Sequence, residues 1–261
     1  MKYINVNLNN KNFCLLLRHH IDNNIPLSLS RIGDGELKIY RDDAPPWYKK
    51  RICNNWLGGE AKDYEKAIIV LRNTIKTALR DADILGFMDT TNNVSRAIRR
   101  QGVKPWALQK TWLLTTEEFE QVGRKKELKV CDHQVVRSEG VGDLHNLKQI
   151  LRGKDLHIVS SRSAQLQKNN IDSRLGSRVI YTQVPYSSTL YDKDSILKKI
   201  DTIKETVIII ALGNIGKDIP PYLSSQNKIC LDFGATVDAW AGLKTRPWFK
   251  RNGLQHHCLV T

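Results

Sequence analysis

The chain lacks the features that would assign it to a membrane-spanning, secreted or disulfide-rich class. No stretch approaches the roughly 18 consecutive apolar residues of a transmembrane helix, and residues 1–6 form no signal-peptide core. The five cysteines are an odd number, lie far apart and include no Cys-x-x-Cys pair. This usage excludes a zinc knuckle and argues against a disulfide framework, so we expect a cytoplasmic protein.

Internal repeats and low-complexity segments are also absent, and the composition is that of a folded protein of enzyme size. Apolar residues make up 41% of the 261 residues, which is enough for a packed core. We expect a single domain over residues 1–261, because one continuous sheet is the simplest account of the chain. A boundary near residues 124–126 is the alternative.

Acidic residues are too few to balance the basic ones. The chain has 41 Lys and Arg residues against 27 Asp and Glu residues, a net charge of +14. Each basic cluster on its own is typical of a solvated surface, but the total predicts an anionic partner. Nucleic acid, a nucleotide and an acidic membrane surface all meet that description.

Apolar segments alternate with amphipathic ones along the chain. Residues 207–212 are apolar throughout, as in a strand buried on both faces, whereas residues 64–79 repeat apolar side chains at helical spacing. The alternation predicts an α/β fold with a Rossmann-like, mostly parallel sheet flanked by helices. The predicted strands are 25–29, 83–87, 128–133, 155–160, 178–184, 207–212 and 228–232. The predicted helices are 11–22, 36–40, 64–79, 94–101, 115–119, 142–151, 163–169, 194–203 and 219–224.

The most informative segment follows the first predicted strand. Arg31 precedes two glycines, Gly33 and Gly35, which alternate with Asp34 and Glu36. Glycine permits a sharp turn and close approach to a ligand, and in extended backbone the two carboxylates would project to the same side. Their hard oxygens suit Mg²⁺ or Mn²⁺, and the Arg31 guanidinium suits phosphate. A solvated Asp-Gly turn is the alternative.

Further polar residues follow three of the predicted strands. In an open α/β sheet, ligands bind beyond the carboxyl ends of the strands, so these residues are expected to converge on one edge. Taken singly, each is equally typical of an ordinary strand-to-helix turn with a capping residue. They are Ser161 and Arg162 after 155–160, Gly213, Asn214 and Lys217 after 207–212, and Asp232 and Asp238 after 228–231.

Two segments resemble a known bacterial family. Residues 30–36, Ser-Arg-Ile-Gly-Asp-Gly-Glu, are similar to the S-x-R-F-G-D-G-E signature of GT-D-type glycosyltransferases. Residues 207–214 and 229–234 are similar to that family's strand–L-G-P-T–helix–strand–D-I-G-H segment. Asn214 stands where the family usually has proline and Ala235 where it usually has histidine, so a catalytically inactive member of the family is an alternative.

The resemblance implies a hexosyltransferase that takes a sugar from a nucleotide-diphosphate donor, expected to be a UDP-sugar. The acceptor would be a glycan or a lipid-diphosphate-linked glycan in bacterial surface polysaccharide or glycoprotein synthesis, with peripheral contact at the anionic inner membrane. Asp34 and Glu36 would hold the divalent cation, Mn²⁺ or Mg²⁺, and Arg31 would contact phosphate or lock the motif turn. The residues expected to bind the nucleotide are Arg31, Gly33, Gly35, Ser161, Arg162, Gly213, Asn214 and Asp232.

A catalytic base cannot be singled out from the sequence. If the sugar is transferred with inversion, a carboxylate or imidazole must reach the acceptor hydroxyl. Glu139 lies in a polar, glycine-flanked loop and is a candidate. The others are Glu36, Asp132, His133 and Asp238.

Two other classes of function fit parts of the sequence. A nucleic-acid-binding protein would explain the basic charge, although no nucleic-acid-binding motif is present and a specific nucleic acid is not expected. A metal-dependent nuclease or phosphotransferase could use Asp34 and Glu36. Binding of UDP with Mn²⁺ would favour the transferase, and salt-sensitive binding of random oligonucleotides would favour the alternative.

Overall fold

The computed structural model describes residues 4, 6–43, 45–47, 49–50, 64–87, 114–132, 147–169, 171–184, 193–241 and 243. Within them, seven strands form one sheet in which every neighbouring pair is parallel. The strands are β1 (Leu27–Arg31), β2 (Ile84–Phe87), β3 (Lys129–Asp132), β4 (Asp155–Ser160), β5 (Arg178–Gln183), β6 (Val207–Ala211) and β7 (Ile229–Asp232). Their order across the sheet is β3-β2-β1-β7-β6-β4-β5. The predicted α/β fold with a parallel sheet is confirmed.

Helices cover both faces of this sheet, as a parallel sheet buried on both sides requires. One face packs against α2 (Asp34–Arg41), α3 (Tyr64–Asp81), α4 (Thr116–Glu120), α7 (Lys193–Asp201) and α8 (Ile219–Ser224). The other packs against α1 (Asn10–Asp22), the helical residues 147–151, α5 (Ser163–Lys168), α6 (Ile171–Leu175) and α9 (Thr236–Trp240).

The strands alternate their side chains between two apolar cores. In β6, Ile208 and Ile210 pack on the α3 side, whereas Val207 and Ile209 pack on the α1 side. This alternation explains why the strand is apolar at consecutive positions, since both of its faces are buried. In the described part of the chain, no helix is both long and apolar enough to cross a membrane.

Most predicted elements are present within a residue or two of their expected ends. α4 begins where the sequence predicts, because the Thr115 side chain caps its first turn. The helices α6 and α9 and the 3-10 helix Gly213–Gly216 were not predicted. The predicted helix 94–101 lies outside the described residues, and the predicted helix 142–151 is described only from residue 147.

The strand order decides where a ligand can approach. The carboxyl ends of β1, β7, β6 and β4 are adjacent in the sheet. The elements that follow β1 and β6 cover one face, and those that follow β4 and β7 cover the other. Chain segments that diverge in this way mark the usual place of a ligand-binding crevice in α/β sheets. The predicted convergence of three strand ends is confirmed, because β7, β6 and β4 are consecutive in the sheet.

A candidate active site at the carboxyl edge of the sheet

The Asp-x-Glu segment is helical, not extended. Gly33 is the N-cap residue of α2, and Asp34 and Glu36 are the first and third residues of the helix. The Glu36 Oε2 atom accepts a hydrogen bond of 3.0 Å from the Gly33 N–H group. The expectation of two carboxylates on one side assumed an extended backbone, and that assumption is wrong, because both residues lie in the first turn of α2. The Asp34 side chain lies outside the described residues.

Neither glycine of this segment adopts a left-handed conformation. Gly33 has a φ of −102°. A Cβ atom at Gly33 would lie 2.9 Å from Glu36 Oε2, so the carboxylate is packed closely against the helix start. Gly35 lies in the first turn of α2 and is buried. The predicted sharp turn is therefore a helix start.

Arg31 ends β1 and turns its guanidinium inward. Nη2 donates a hydrogen bond of 2.7 Å to the Phe233 carbonyl, and the Arg31 amide donates one of 3.2 Å to Asp232 Oδ2. Burial lowers the pKa of the guanidinium, and the nearby carboxylates of Asp232 and Glu36 oppose that shift. Of the two roles expected for Arg31, these contacts fit the one that locks the motif turn to β7.

The turn after β7 has glycine at the point where Arg31 arrives. Gly234 has a φ of +51°, in the left-handed region. A Cβ atom there would lie 2.5 Å from Arg31 Nη2. Both the backbone conformation and the guanidinium therefore require glycine at residue 234.

Lys217 has a larger role at this edge than its place in the sequence indicates. It follows the 3-10 helix after β6 and is buried. Its Nζ lies 2.6 Å from Asp232 Oδ2 and 3.6 Å from Glu36 Oε1, and its carbonyl accepts a 2.7 Å hydrogen bond from Ser30 Oγ. The Gly-x-x-Gly-Lys pattern was visible in the sequence, but its partners were not.

We call a group of two cations and two anions at this edge the ion cluster. Three of its members are buried and Glu36 is partly buried; they are Arg31, Lys217, Asp232 and Glu36. The ion cluster links the carboxyl ends of β1 and β7 to the turn that follows β6. Lys217 and Asp232 form a direct hydrogen-bonded ion pair, and the nearby charges of Glu36 and Arg31 add to the mutual compensation for the loss of water. The ion cluster therefore fixes the relative positions of three chain segments at the edge.

A second ion pair joins the turn after β4 to α9. Arg162 Nη1 is 2.8 Å from Asp238 Oδ2, and the two side chains are 42% and 4% exposed. The Arg162 amide also donates to Ser160 Oγ at 3.1 Å, which orders the turn after β4. A guanidinium that is held on one side and solvated on the other is suited to bind an anion.

Several buried polar atoms at this edge have no hydrogen-bond partner among the described residues. They are Asn214 Nδ2, Asp232 Oδ1 and Thr236 Oγ1. Buried polar groups are almost always satisfied by protein, water or ligand, so the edge has unused capacity for polar contacts. Asp232 is only 1% exposed and engaged by Lys217, so its predicted contact with the nucleotide remains a prediction.

The predicted nucleotide-binding residues Ser161 and Gly213 lie on the turns that flank this edge. Ser161 follows β4 and is half-buried, and Gly213 opens the 3-10 helix after β6 with a φ of +64°. A Cβ atom at Gly213 would meet none of the described atoms within 4 Å. The backbone conformation, and not a close approach, therefore favours glycine there.

The described part of the site does not fit a metal ion. Among the residues that the structure describes, no three carboxylate, thiol or imidazole side chains are grouped so that they could hold one. The two carboxylates nearest each other here, Glu36 and Asp232, already share the Lys217 ammonium. Since the Asp34 side chain is not described, the predicted cation stays a prediction.

The candidate catalytic bases lie in different parts of the chain. Glu139 and His133 lie outside the described residues. Asp132 ends β3, an edge strand separated from β1 by β2. Asp238 is buried and paired with Arg162. Glu36 is bound to the amide of its own helix start.

A cavity on the α3 face runs along α8, from Asp218 next to Lys217 to Ser225. It measures about 540 Å³ and is lined by α3, α7 and α8, among them Lys193, Asp218 and Ser224. Ser224 Oγ donates to Asp83, which immediately precedes β2. The cavity therefore extends toward the amino ends of the strands, away from the crevice at which α/β sheets bind ligands.

Comparisons with known proteins agree with this architecture. Residues 8–240 match the GT-D-like family, described as a GT-D fold-like domain. No curated protein matches the chain in sequence. The match includes the two segments on which the resemblance rests, so the predicted membership is confirmed.

Three solved structures share the fold. A selenomethionine form of domain of unknown function 1792 is 18% identical, with a TM-score of 0.61, and the alignment covers 97% of this chain and 83% of that one. A structure of the same domain, described as having a distinct glycosyltransferase fold, gives the same values. A glycosyltransferase of this kind from Streptococcus sanguinis is 18% identical, with a TM-score of 0.59 and coverage of 94% and 84%. The chain thus belongs to the GT-D-like family and has a glycosyltransferase fold.

Proposed function

We propose that the chain transfers a hexose from a nucleotide-diphosphate sugar, in the first instance a UDP-sugar, to a glycan or lipid-diphosphate-linked acceptor. Family membership and the glycosyltransferase fold support sugar transfer. The donor proposal rests on Arg162, a partly exposed guanidinium that Asp238 holds at the carboxyl edge. An anionic donor is the ligand that such an edge favours.

Arg162 is the proposed direct contact to the donor diphosphate. Its guanidinium is partly exposed, and Asp238 holds it at 2.8 Å. A planar guanidinium can donate two parallel hydrogen bonds to phosphate oxygens while a carboxylate behind it fixes its orientation. Asp238 is then a positioning residue.

The ion cluster is proposed to position the edge and not to touch the donor. Arg31 and Lys217 are buried and already have partners in the protein. Their role is to hold the start of α2 against the turns after β6 and β7. Asp34, at the first position of α2, remains the proposed ligand for a cation that arrives with the donor diphosphate.

Ser161, Gly213 and Asn214 are proposed to line the nucleoside. The buried Asn214 Nδ2 has no partner among the described atoms, so its N–H groups are available to a ribose hydroxyl or a base carbonyl. Glu139 is proposed on the acceptor side as a candidate base. Contact with an anionic membrane is proposed from the net charge of +14, and binding to anionic but not neutral vesicles would support it.

Thermal stabilisation by nucleotides is the test of the donor proposal. Wild-type protein is heated with UDP, UDP-sugars and other nucleotides, with Mn²⁺ and with EDTA, because a ligand of the native state raises the melting temperature. We expect one nucleotide to stabilise the wild type, and Arg162→Ala to lose most of that shift. Arg178→Ala is the matched control, because Arg178 also pairs with an aspartate but lies at the start of β5, away from the edge.

Two results would count against the donor proposal. One is equal nucleotide stabilisation of the Arg162→Ala and wild-type proteins. The other is no nucleotide effect at all, together with salt-sensitive binding of random oligonucleotides, which would favour the nucleic-acid alternative.

A further inference from the structure

We infer that the Lys217 ammonium takes the place that a divalent cation would have between Glu36 and Asp232, so that these two carboxylates form no metal site in the ligand-free protein. The inference concerns the protein without nucleotide. It does not depend on the proposed sugar transfer, because it is drawn from the ion cluster alone.

The contacts of Lys217 are those of a counter-cation. Its Nζ is 2.6 Å from Asp232 Oδ2 and 3.6 Å from Glu36 Oε1. An ammonium is a compact charge that can approach two carboxylates at once. It therefore neutralises the same oxygens that would otherwise bind a hard cation.

The backbone keeps Lys217 in this position. Its carbonyl accepts the hydrogen bond from Ser30 Oγ, which ties it to β1. A Cβ atom at Gly216 would lie 2.9 Å from Leu212 Cβ and 3.0 Å from Ile210 Cγ2, so the preceding turn is packed tightly onto β6. These contacts fix the backbone of Lys217, and its side chain is in turn held by burial and by the 2.6 Å hydrogen bond to Asp232.

Electrostatics disfavour a metal as long as Lys217 is charged. A divalent cation at Glu36 and Asp232 would add two positive charges beside Lys217 and near Arg31, whose guanidinium lies within electrostatic range of both carboxylates. Repulsion between charges a few ångström apart is strong where water is excluded. The resident ammonium and the metal therefore exclude one another.

Removal of the ammonium leaves oxygen ligands behind. Asp232 Oδ1 is buried without a hydrogen-bond partner among the described residues, and Oδ2 would lose the ammonium. Together with the Glu36 carboxylate these are the hard donors that Mn²⁺ prefers. A shorter, uncharged residue at 217 should thus create a Mn²⁺ site.

The experiment measures binding of Mn²⁺ alone, by electron paramagnetic resonance and calorimetry, without nucleotide. Its proteins are the wild type and the variants Glu36→Gln, Lys217→Gln, Lys217→Gln with Glu36→Gln, and Lys193→Gln. Lys193 is the matched control, because it also pairs with a single aspartate, Asp218, but no second carboxylate approaches it in the part of the chain that the structure describes.

We expect Lys217→Gln to bind Mn²⁺ at least about tenfold more tightly than the wild type, because a repelling charge is removed. Adding Glu36→Gln should abolish the gain, and Lys193→Gln should behave like the wild type. If the Lys217→Gln protein is too unstable for a direct titration, its melting temperature reports the same binding. Mn²⁺ should then raise the melting temperature of this variant and leave that of the wild type unchanged.

Two outcomes overturn the inference. The first is wild-type Mn²⁺ binding that Glu36→Gln removes, a result that needs no variant of Lys217. The second is a Lys217→Gln protein that gains no affinity for Mn²⁺ or stays unfolded when Mn²⁺ is added. Neither outcome bears on nucleotide binding, so the proposed function stands or falls on its own test.

Discussion

Replacing Asp232 by asparagine removes one charge from the ion cluster with almost no change in shape. Asp232 is 1% exposed and accepts hydrogen bonds from Lys217 Nζ at 2.6 Å and from the Arg31 amide at 3.2 Å. In the Asp232→Asn protein, Lys217 and Arg31 remain buried with Glu36 as the only carboxylate of the ion cluster. The substitution therefore leaves an uncompensated positive charge away from water.

The expected loss of stability follows from that imbalance. Removing one partner of a buried ion pair costs about 3–5 kcal/mol, because the remaining charge keeps its desolvation penalty. The Arg178–Asp155 pair is the matched comparison, with the same N···O distance of 2.6 Å but side chains that are 68% and 56% exposed. Exposed pairs contribute little because water screens both charges, so Asp155→Asn should leave stability nearly unchanged.

Urea unfolding followed by circular dichroism measures both losses under the same conditions. We expect the Asp232→Asn transition to shift to lower urea with an unchanged slope, since a changed slope would indicate an altered denatured or native state. The reasoning is refuted if Asp232→Asn loses no more stability than Asp155→Asn. In that case the charges of the ion cluster would be solvated to the same extent as a surface pair.

Two further substitutions test the packing and the electrostatics of the sheet. Gly234→Ala should be destabilised more than Gly213→Ala. Both residues have a positive φ, but only the new Cβ atom at residue 234 would collide with Arg31. Chemical unfolding of the two variants measures the cost of that collision as the difference between their losses of stability. Burial raises the pKa of Asp83, but the hydrogen bonds from Lys126 and Ser28 outweigh burial, so the pKa is lowered. Asp83→Asn should therefore be less stable than the wild type near neutral pH, and the difference should vanish as the pH falls below about 3.9 and through the folded-state pKa. A difference that persists in acid would contradict that assignment.

The sheet was predictable because its elements have recognisable patterns of apolar residues. β6 is apolar at consecutive positions, since both faces of a central parallel strand are buried, and α3 has a clear helical period over 18 residues. The helices α6 and α9 have five residues each, too few for a period to be visible, and they are stabilised by tertiary contacts.

The candidate site was predictable in its location but not in its contacts. The strand ends were placed together by the general geometry of parallel sheets. The pairing of Arg31 with Asp232 spans 201 residues, and it requires β7 to lie beside β1, an adjacency that no local pattern encodes. The helical start at Asp34 was missed although a signal existed, because glutamate at the third helical position commonly binds the amide of the capping residue.

The ion cluster also predicts that Asp232 and Lys217 depend on each other, which only a double substitution can test. If Asp232 and Lys217 compensate one another, the protein with both Asp232→Asn and Lys217→Met should be more stable than the sum of the two single losses predicts. The difference should be about 0.5–3 kcal/mol, the range found for residues in direct contact. Losses that simply add would mean that the two side chains do not depend on each other. Lys217 would then not be the resident counter-cation of Asp232, and both the stability prediction and the inference on metal exclusion would lose their common basis.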